Sequence, residues 1–125
     1  MTSMPIVDIE LVCQTDAEFS AISARALADT LGRAMGSEAG HTWVRMHFLD
    51  SQAYAENEVS VDAADLPVFV TVLQAKLPAI PELAAEVQAI TAAVAACVGR
   101  PPERVHVQYA PAAAGRQAFG GRLVQ

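Results

Sequence analysis

The chain has 125 residues, of which 53% are hydrophobic and 18% are charged, so we expect one compact domain with its own core rather than a disordered chain or two domains. Its formal net charge of −6 has the wrong sign for binding a phosphate backbone, which excludes nucleic acid as an expected partner. No uninterrupted apolar run approaches the roughly 18 residues of a membrane span and no secretory signal is visible, so we expect no membrane partner and a cytoplasmic protein.

The first half of the chain has the pattern strand, helix, strand. Pro5–Val12 is a proline-led run rich in β-branched residues, which predicts a strand. Thr15 and Glu18 have the spacing of a capping box, and the apolar residues that follow recur at helical spacing, which predicts one helix over 16–35. The alternating segment Val44–Phe48 predicts a second strand.

The second half repeats this order about 62 residues later. Pro67–Gln74 predicts a strand, residues 81–98 a helix with proline in its first turn, and Val105–Tyr109 an alternating strand. A strand, a helix and a strand in each half favour parallel pairing through a right-handed crossover. The sequence therefore predicts a single α/β domain of two tandem β-α-β units, about 5–58 and 67–124.

The predicted strands place polar side chains on the face away from the helices. Arg45 and His47 alternate with apolar residues in the first half, and His106 and Gln108 do so in the second. We therefore expect a four-stranded sheet with two helices on one face. We expect the other face to be covered in the folded protein, and self-association is the simplest way to cover it.

Two segments lie outside these elements. The polar, acidic stretch 51–66 is the natural joint between the two units. The tail from Ala110 to Gln125 carries small residues and glycines, which predicts a mobile or hairpin-forming segment.

Four stretches of sequence resemble the tautomerase superfamily over nearly the whole chain. They are Met4–Ile9, Pro67 at the start of the second unit, Pro101–Tyr109 and Arg116–Gly121. The resemblance implies a homotrimer of fused two-unit protomers, with sites between neighbouring subunits and an amino-terminal proline as the catalytic group. Pro67 lies in mid-chain and cannot be a free amine, so any equivalent site around it should be inert.

The proposed chemistry depends on the residues before Pro5. A free amino-terminal proline is a secondary amine, and an α-amino group needs only modest desolvation to become a base near neutral pH. Acylation turns the same nitrogen into a planar amide without a basic lone pair. Because Met1–Met4 precede Pro5, two readings stay open: translation starts at Met4, whose removal frees Pro5, or the extension masks a dead or altered site.

The resemblance implies roles for several other side chains. His106 and Gln108 occupy positions where related enzymes hold the substrate or polarise its oxygen, next to the proline of an adjacent subunit. Arg45, Lys76 and Arg116 are candidate cations for a substrate carboxylate. Phe119, in the tail, is expected to close over the site. Some cations of the relatives are absent, Ser37 standing where some have lysine, which argues against the usual 2-oxo-dicarboxylates.

The sequence supports three hypotheses about function. The first is a tautomerase or isomerase that moves a proton in a small enolisable carbonyl compound, expected to be a carboxylate, with Pro5 as base. The second is a catalytically silent trimeric binding protein with Pro5 masked. The third is an enzyme that uses His106 as acid and base. No cofactor is expected, and His41, His47 and His106 lack the spacing of a metal site.

Overall fold

The computed structural model describes residues 4–125; of the extension Met1–Met4 that is predicted to mask Pro5, residues 1–3 lie outside them. Four strands form one sheet: β1 Ile6–Cys13, β2 Trp43–Asp50, β3 Val68–Leu73 and β4 Val105–Tyr109. Their order is β2-β1-β3-β4. Strand β1 is parallel to β2, β3 is parallel to β4, and the central pair β1/β3 is antiparallel. The predicted α/β fold of two tandem β-α-β units is confirmed.

The first unit contains two helices where the sequence predicted one over 16–35, so that prediction was wrong. Helix α1 spans Asp16–Ser20 and helix α2 spans Ala24–Ala34. Of the predicted capping box at the start of α1, the hydroxyl half is present, because the Glu18 N–H donates to the Thr15 hydroxyl at 3.1 Å, whereas the Glu18 carboxylate accepts the N–H of Gln14, one residue before Thr15. Ser23 then caps α2 by accepting the Ala26 N–H at 3.0 Å. A serine hydroxyl bonded to the backbone in this way starts a new helix, which explains the break.

The second unit contains a single long helix, α3, at Ile80–Val98. Pro81 lies in its first turn, and Gly99 ends it in the left-handed conformation at φ 68°. By length and mean hydropathy alone, α3 could also cross a membrane. Its residues Ile90, Val94 and Val98 belong to the core that packs on the sheet.

All the helices lie on one face of the sheet, as predicted. The helix-facing side chains of the two central strands are buried, and with α2 and α3 they form one core. Its fully buried members include Val7, Ile9, Leu11, Leu27, Leu31, Val68, Val72, Ile90 and Val94. The opposite face, called the open face below, carries the polar residues Asp8, Glu10, Arg45, His47, Thr71, His106 and Gln108.

The tail forms a hairpin, one of the two outcomes predicted for it. Strands β5 Ala118–Phe119 and β6 Arg122–Leu123 pair antiparallel. Gly120 and Gly121 form the two-residue turn at φ 56° and 88°, which is the backbone that a tight hairpin turn requires and glycine tolerates. The hairpin lies at the end of the sheet where β1 and β2 begin and β3 and β4 end, called the Pro5 end below.

Candidate functional site

Pro5 is buried immediately before β1. Its carbonyl accepts the Trp43 N–H at 3.0 Å, and the next residue, Ile6, pairs with both Trp43 and Leu73. Pro5 is thus held between the two strands adjacent to β1. In the described chain Met4 acylates its nitrogen, so that nitrogen has no basic lone pair.

A small apolar cavity lies at the Pro5 end. Its volume is about 40 Å³. It is lined by Met4, Leu73, Ala75, Ala113, Phe119 and Val124. The tail is fixed there because the Ala113 N–H donates to the Gln74 carbonyl at 2.7 Å and the Ala114 N–H donates to the Ala75 carbonyl at 3.1 Å. The tail therefore encloses an apolar cavity at this end of the sheet, whose lining includes Met4, the residue before Pro5, but not Pro5 itself.

Phe119, which the sequence predicts to close over the site, lines this cavity. Its ring meets the Trp43 indole edge to face, with centroids 5.2 Å apart and planes at 86°, which is a favourable aromatic geometry. Arg116, by contrast, is exposed and donates to the Ala112 carbonyl at 2.9 Å. The structure brings Phe119 to the Pro5 end and leaves Arg116 on the surface of the tail.

Lys76 lies three residues beyond the end of β3, next to the cavity-lining Ala75. It is exposed, and no hydrogen bond or ion pair involves it within residues 4–125. It is therefore an available cation at the Pro5 end.

Arg45 lies on the open face in an ion pair. Its guanidinium donates two hydrogen bonds to the Asp8 carboxylate, at 2.6 and 2.8 Å, across the β1/β2 register that pairs these residues. The hydrogen bond from Arg45 is the main cause that holds the pKa of Asp8 below its ordinary value, with a smaller contribution from His47. Within one protomer, Arg45 therefore binds Asp8 and faces away from the helix side of the sheet, where Pro5 lies.

His106 and Gln108 are exposed side chains on the open face of β4. They line a groove of about 560 Å³ with Asp8, Glu10, His47, Phe69 and Thr71, and the His106 ring lies 5.7 Å from that of Phe69. Strand β3 separates β4 from β1, and Pro5 faces the helix side. One protomer therefore does not bring His106 or Gln108 to Pro5.

Sequence reasoning missed a polar cluster between α3 and the sheet. The Glu86 Oε1 atom accepts hydrogen bonds from the Gln74 amide and from the Tyr109 hydroxyl, both at 2.8 Å. Burial, and secondarily the bond to Glu86, raises the pKa of Tyr109. The cluster lies at the Pro5 end because β3 and β4 both finish there. The residues are more than ten positions apart in the chain, so local spacing carries no signal of it.

The opposite end of the sheet carries the second proline. Pro67 is fully buried, and its carbonyl accepts the Val12 N–H at 3.2 Å. A bridge between Glu56 and Val59 lies at this end, at a place in the first unit that corresponds to the tail hairpin in the second. Arg104 pairs with Glu56 and donates to the Asp65 carbonyl at 2.5 Å. These contacts of Arg104 fix the segment between the two units.

Within residues 4–125, no three His, Cys, Asp or Glu side chains are grouped so that they could hold a metal ion. Both cysteines are free; Cys13 is buried and Cys97 is half-buried.

No protein-family model and no curated protein matches the chain, but solved structures do. A fused 4-OT, described as a symmetric trimer, is 16% identical, with 95% of this chain and 94% of that chain covered and a TM-score of 0.72. Macrophage migration inhibitory factor from Oncomelania hupensis is 17% identical, with 97% and 82% covered and a TM-score of 0.70. FG41 malonate semialdehyde decarboxylase is 22% identical, with 92% and 90% covered and a TM-score of 0.63.

These neighbours define the class of fold. They cover nearly the whole chain and include 4-OT, macrophage migration inhibitory factor and malonate semialdehyde decarboxylase, which are tautomerase superfamily proteins. The chain therefore has the tautomerase superfamily fold, as the resemblance of its sequence implied.

Proposed function

We propose that the protein is a tautomerase that moves a proton between the carbon and oxygen atoms of a small enolisable carbonyl compound. The general base is the nitrogen of Pro5 after removal of the preceding residues. The observation that carries this proposal is the position of Pro5, which is buried at the start of a central strand and directly follows Met4, a residue that lines the apolar cavity. A free α-amino group has a pKa of about 7.7–8.0, and burial disfavours its charged form, which makes it a base at neutral pH.

The complete site requires a neighbouring subunit. His106 and Gln108 lie on the open face of an outer strand and do not reach Pro5 of their own protomer, so in a homotrimer they act at the Pro5 of the next copy. The trimeric fused 4-OT of the same fold supports this assembly. Lys76 is the available cation at the Pro5 end, and it would bind the carboxylate of the substrate.

One observation favours a second candidate function, a catalytically silent binding protein. Met4 is among the residues that line the apolar cavity beside Pro5. If Met4 is retained, it remains part of the cavity wall, and the Pro5 nitrogen stays an amide. The two functions therefore make opposite predictions about a chain that begins at Pro5.

The deciding experiment compares two proteins, one beginning at Pro5 and one retaining residues 1–4, with each amino terminus verified by intact mass. Ketonisation of an enolpyruvate is followed by ultraviolet absorbance. We expect turnover above the solvent rate only for the protein beginning at Pro5. Equal rates for the two would exclude Pro5 as the base and favour His106.

The internal repeat supplies a matched control. In the protein beginning at Pro5, Pro5→Ala replaces the secondary amine by a primary one and should lower kcat. Pro67→Ala changes the corresponding proline of the second unit, which is an amide in every form of the chain. We expect folded Pro67→Ala protein to keep its activity; an equal loss in both variants would point to packing instead of amine chemistry.

A further inference from the structure

Met4 forms one wall of the apolar cavity at the Pro5 end. Strand β1 pairs Ile6 with Leu73 of β3, and continuing this antiparallel register by two residues in each chain segment places Met4 opposite Ala75. Both residues line the cavity, as does Leu73. Because side chains alternate along a strand, this cavity lies on the open face of the sheet, and Met4 is half-buried in its wall.

The nitrogen of Pro5 is one bond away from Met4. The Met4 carbonyl carbon is joined to it at about 1.33 Å, and its other two bonds go to carbon atoms of the proline ring, Cα and Cδ. When residues 1–4 are removed, the lone pair and the hydrogen of the free secondary amine therefore point to the side on which Met4 lay. The base of the proposed function is thus directed at the space that Met4 leaves.

The other walls of the cavity are fixed by contacts that do not involve Met4. The Ala113 N–H donates to the Gln74 carbonyl at 2.7 Å, and the Phe119 ring lies edge to face on Trp43. Neither contact is lost when the chain begins at Pro5. We therefore expect the cavity of about 40 Å³ to grow by the volume of the methionine side chain.

The enlarged space is apolar. After removal of Met4 its lining consists of Leu73, Ala75, Ala113, Phe119 and Val124. These side chains carry no hydrogen-bond donor and no positive charge, and the backbone N–H groups of Ala113 and Val124 already donate to carbonyl groups. A carboxylate in this space would lose its hydration without gaining a partner, whereas an alkyl group is stabilised by burial.

A positive charge lies just outside the cavity. Lys76 directly follows the cavity-lining Ala75 and is exposed, and no hydrogen bond or ion pair involves it in the part of the chain that the structure describes. Lys76 can pair with a carboxylate, while the cavity accepts only an apolar group. The two features together suit a substrate with one charged end and one apolar end.

We propose that the space left by Met4 is the subsite for an apolar substituent of the substrate. The substrate class is a 2-oxo monocarboxylate, in its enol form, that carries an unbranched alkyl chain of about the length of a methionine side chain. A 2-oxo dicarboxylate is disfavoured, because its second carboxylate would enter the apolar cavity. This assignment deepens the proposed function and rests on it, since both require removal of residues 1–4.

The test measures the binding of two 2-oxo acids to the protein beginning at Pro5. 2-Oxohexanoate and 2-oxoadipate have the same number of carbon atoms and differ in the end group, which is a methyl group in the first and a carboxylate in the second. Trp43 is the only tryptophan and contacts the cavity-lining Phe119, so its fluorescence reports occupation of the cavity. We expect 2-oxohexanoate to bind more tightly by about tenfold or more.

Two variants and one longer chain locate the bound acid. Ala75→Leu extends a side chain into the cavity and should weaken the binding of 2-oxohexanoate by about tenfold. Ala84→Leu makes the same change at an exposed position of α3 and should leave the Kd unchanged. The protein that retains residues 1–4 should not bind 2-oxohexanoate measurably, because Met4 occupies the subsite.

The outcomes separate the subsite from the proposed catalysis. Selective binding of 2-oxohexanoate without ketonisation of its enol refutes the proposed function and supports the subsite. Equal or tighter binding of 2-oxoadipate, no binding of either acid, or equal binding by the chain that retains Met4 overturns the inference. An unchanged Kd for 2-oxohexanoate in folded Ala75→Leu also overturns it, and Ala75→Val is the smaller replacement if the leucine variant does not fold.

Discussion

Replacing Glu86 should destabilise the Pro5 end more than its partial exposure suggests. Glu86 is the common acceptor for the Gln74 amide and the Tyr109 hydroxyl, and Gln74 is only 5% exposed. In Glu86→Leu both donors lose their acceptor. A net hydrogen bond to a charged group contributes about 1.5–3 kcal/mol, and removing a half-buried carboxylate returns part of its desolvation cost. We therefore expect a loss of about 2–3 kcal/mol.

The measurement is urea unfolding at pH 7 followed by circular dichroism. Glu82→Leu is the matched control, since Glu82 is an exposed residue in the first turn of the same helix, and it should change stability by less than about 0.5 kcal/mol. Tyr109→Phe removes one donor. In the double variant, Glu86→Leu should therefore cost less than it does alone.

Two results would refute this reasoning. If Glu86→Leu is no more destabilising than Glu82→Leu, the cluster does not support the fold. If the costs of Glu86→Leu and Tyr109→Phe simply add, the hydroxyl and the carboxylate do not depend on each other.

Further predictions concern glycines and acid. Gly32→Ala should stabilise the protein by about 0.5–1 kcal/mol because Gly32 is helical and an added Cβ meets only ordinary contacts. Gly99→Ala should destabilise the protein because Gly99 has φ 68°. Thermal melting should therefore give a higher melting temperature for Gly32→Ala and a lower one for Gly99→Ala than for the unchanged protein. Because Arg45 lowers the pKa of Asp8 in the folded state, the pair stabilises the protein above the ordinary pKa of 3.8 and loses that effect as the pH falls through the folded value. Asp8→Asn should therefore lower the free energy of unfolding by about 0.5 kcal/mol at pH 7, and should not change it at a pH low enough to protonate Asp8. Urea unfolding at the two pH values measures this difference. An equal loss at both would contradict the stabilising role of the Arg45–Asp8 pair.

The sheet could be predicted from the sequence because its signals are local. Alternation along Val44–Phe48 and Val105–Tyr109 fixes which side chains face the helices, and a short crossover within each unit fixes the parallel pairing. The break between α1 and α2 was not predictable by the same means. Phe19 and Ile22 continue the helical spacing across it, and the competing signal is a single serine, Ser23, whose capping role depends on its backbone conformation.

The candidate site was only partly predictable, because most of its contacts join distant parts of the chain. The placement of Phe119 at the cavity follows from the tail returning to β3. The pairing of Arg45 with Asp8 depends on the register of two strands, which spacing alone does not give.

The location of the tail hairpin has a practical consequence for protein production. Val124, the penultimate residue, both lines the cavity beside Pro5 and exchanges backbone hydrogen bonds with Gly115 and Gln117. Met4 and Val124 therefore converge on one place, and an affinity tag or fluorescent fusion joined close to either residue would be attached next to it. Purification handles are better inserted in the exposed turn around Asn57 and Glu58, at the far end of the sheet.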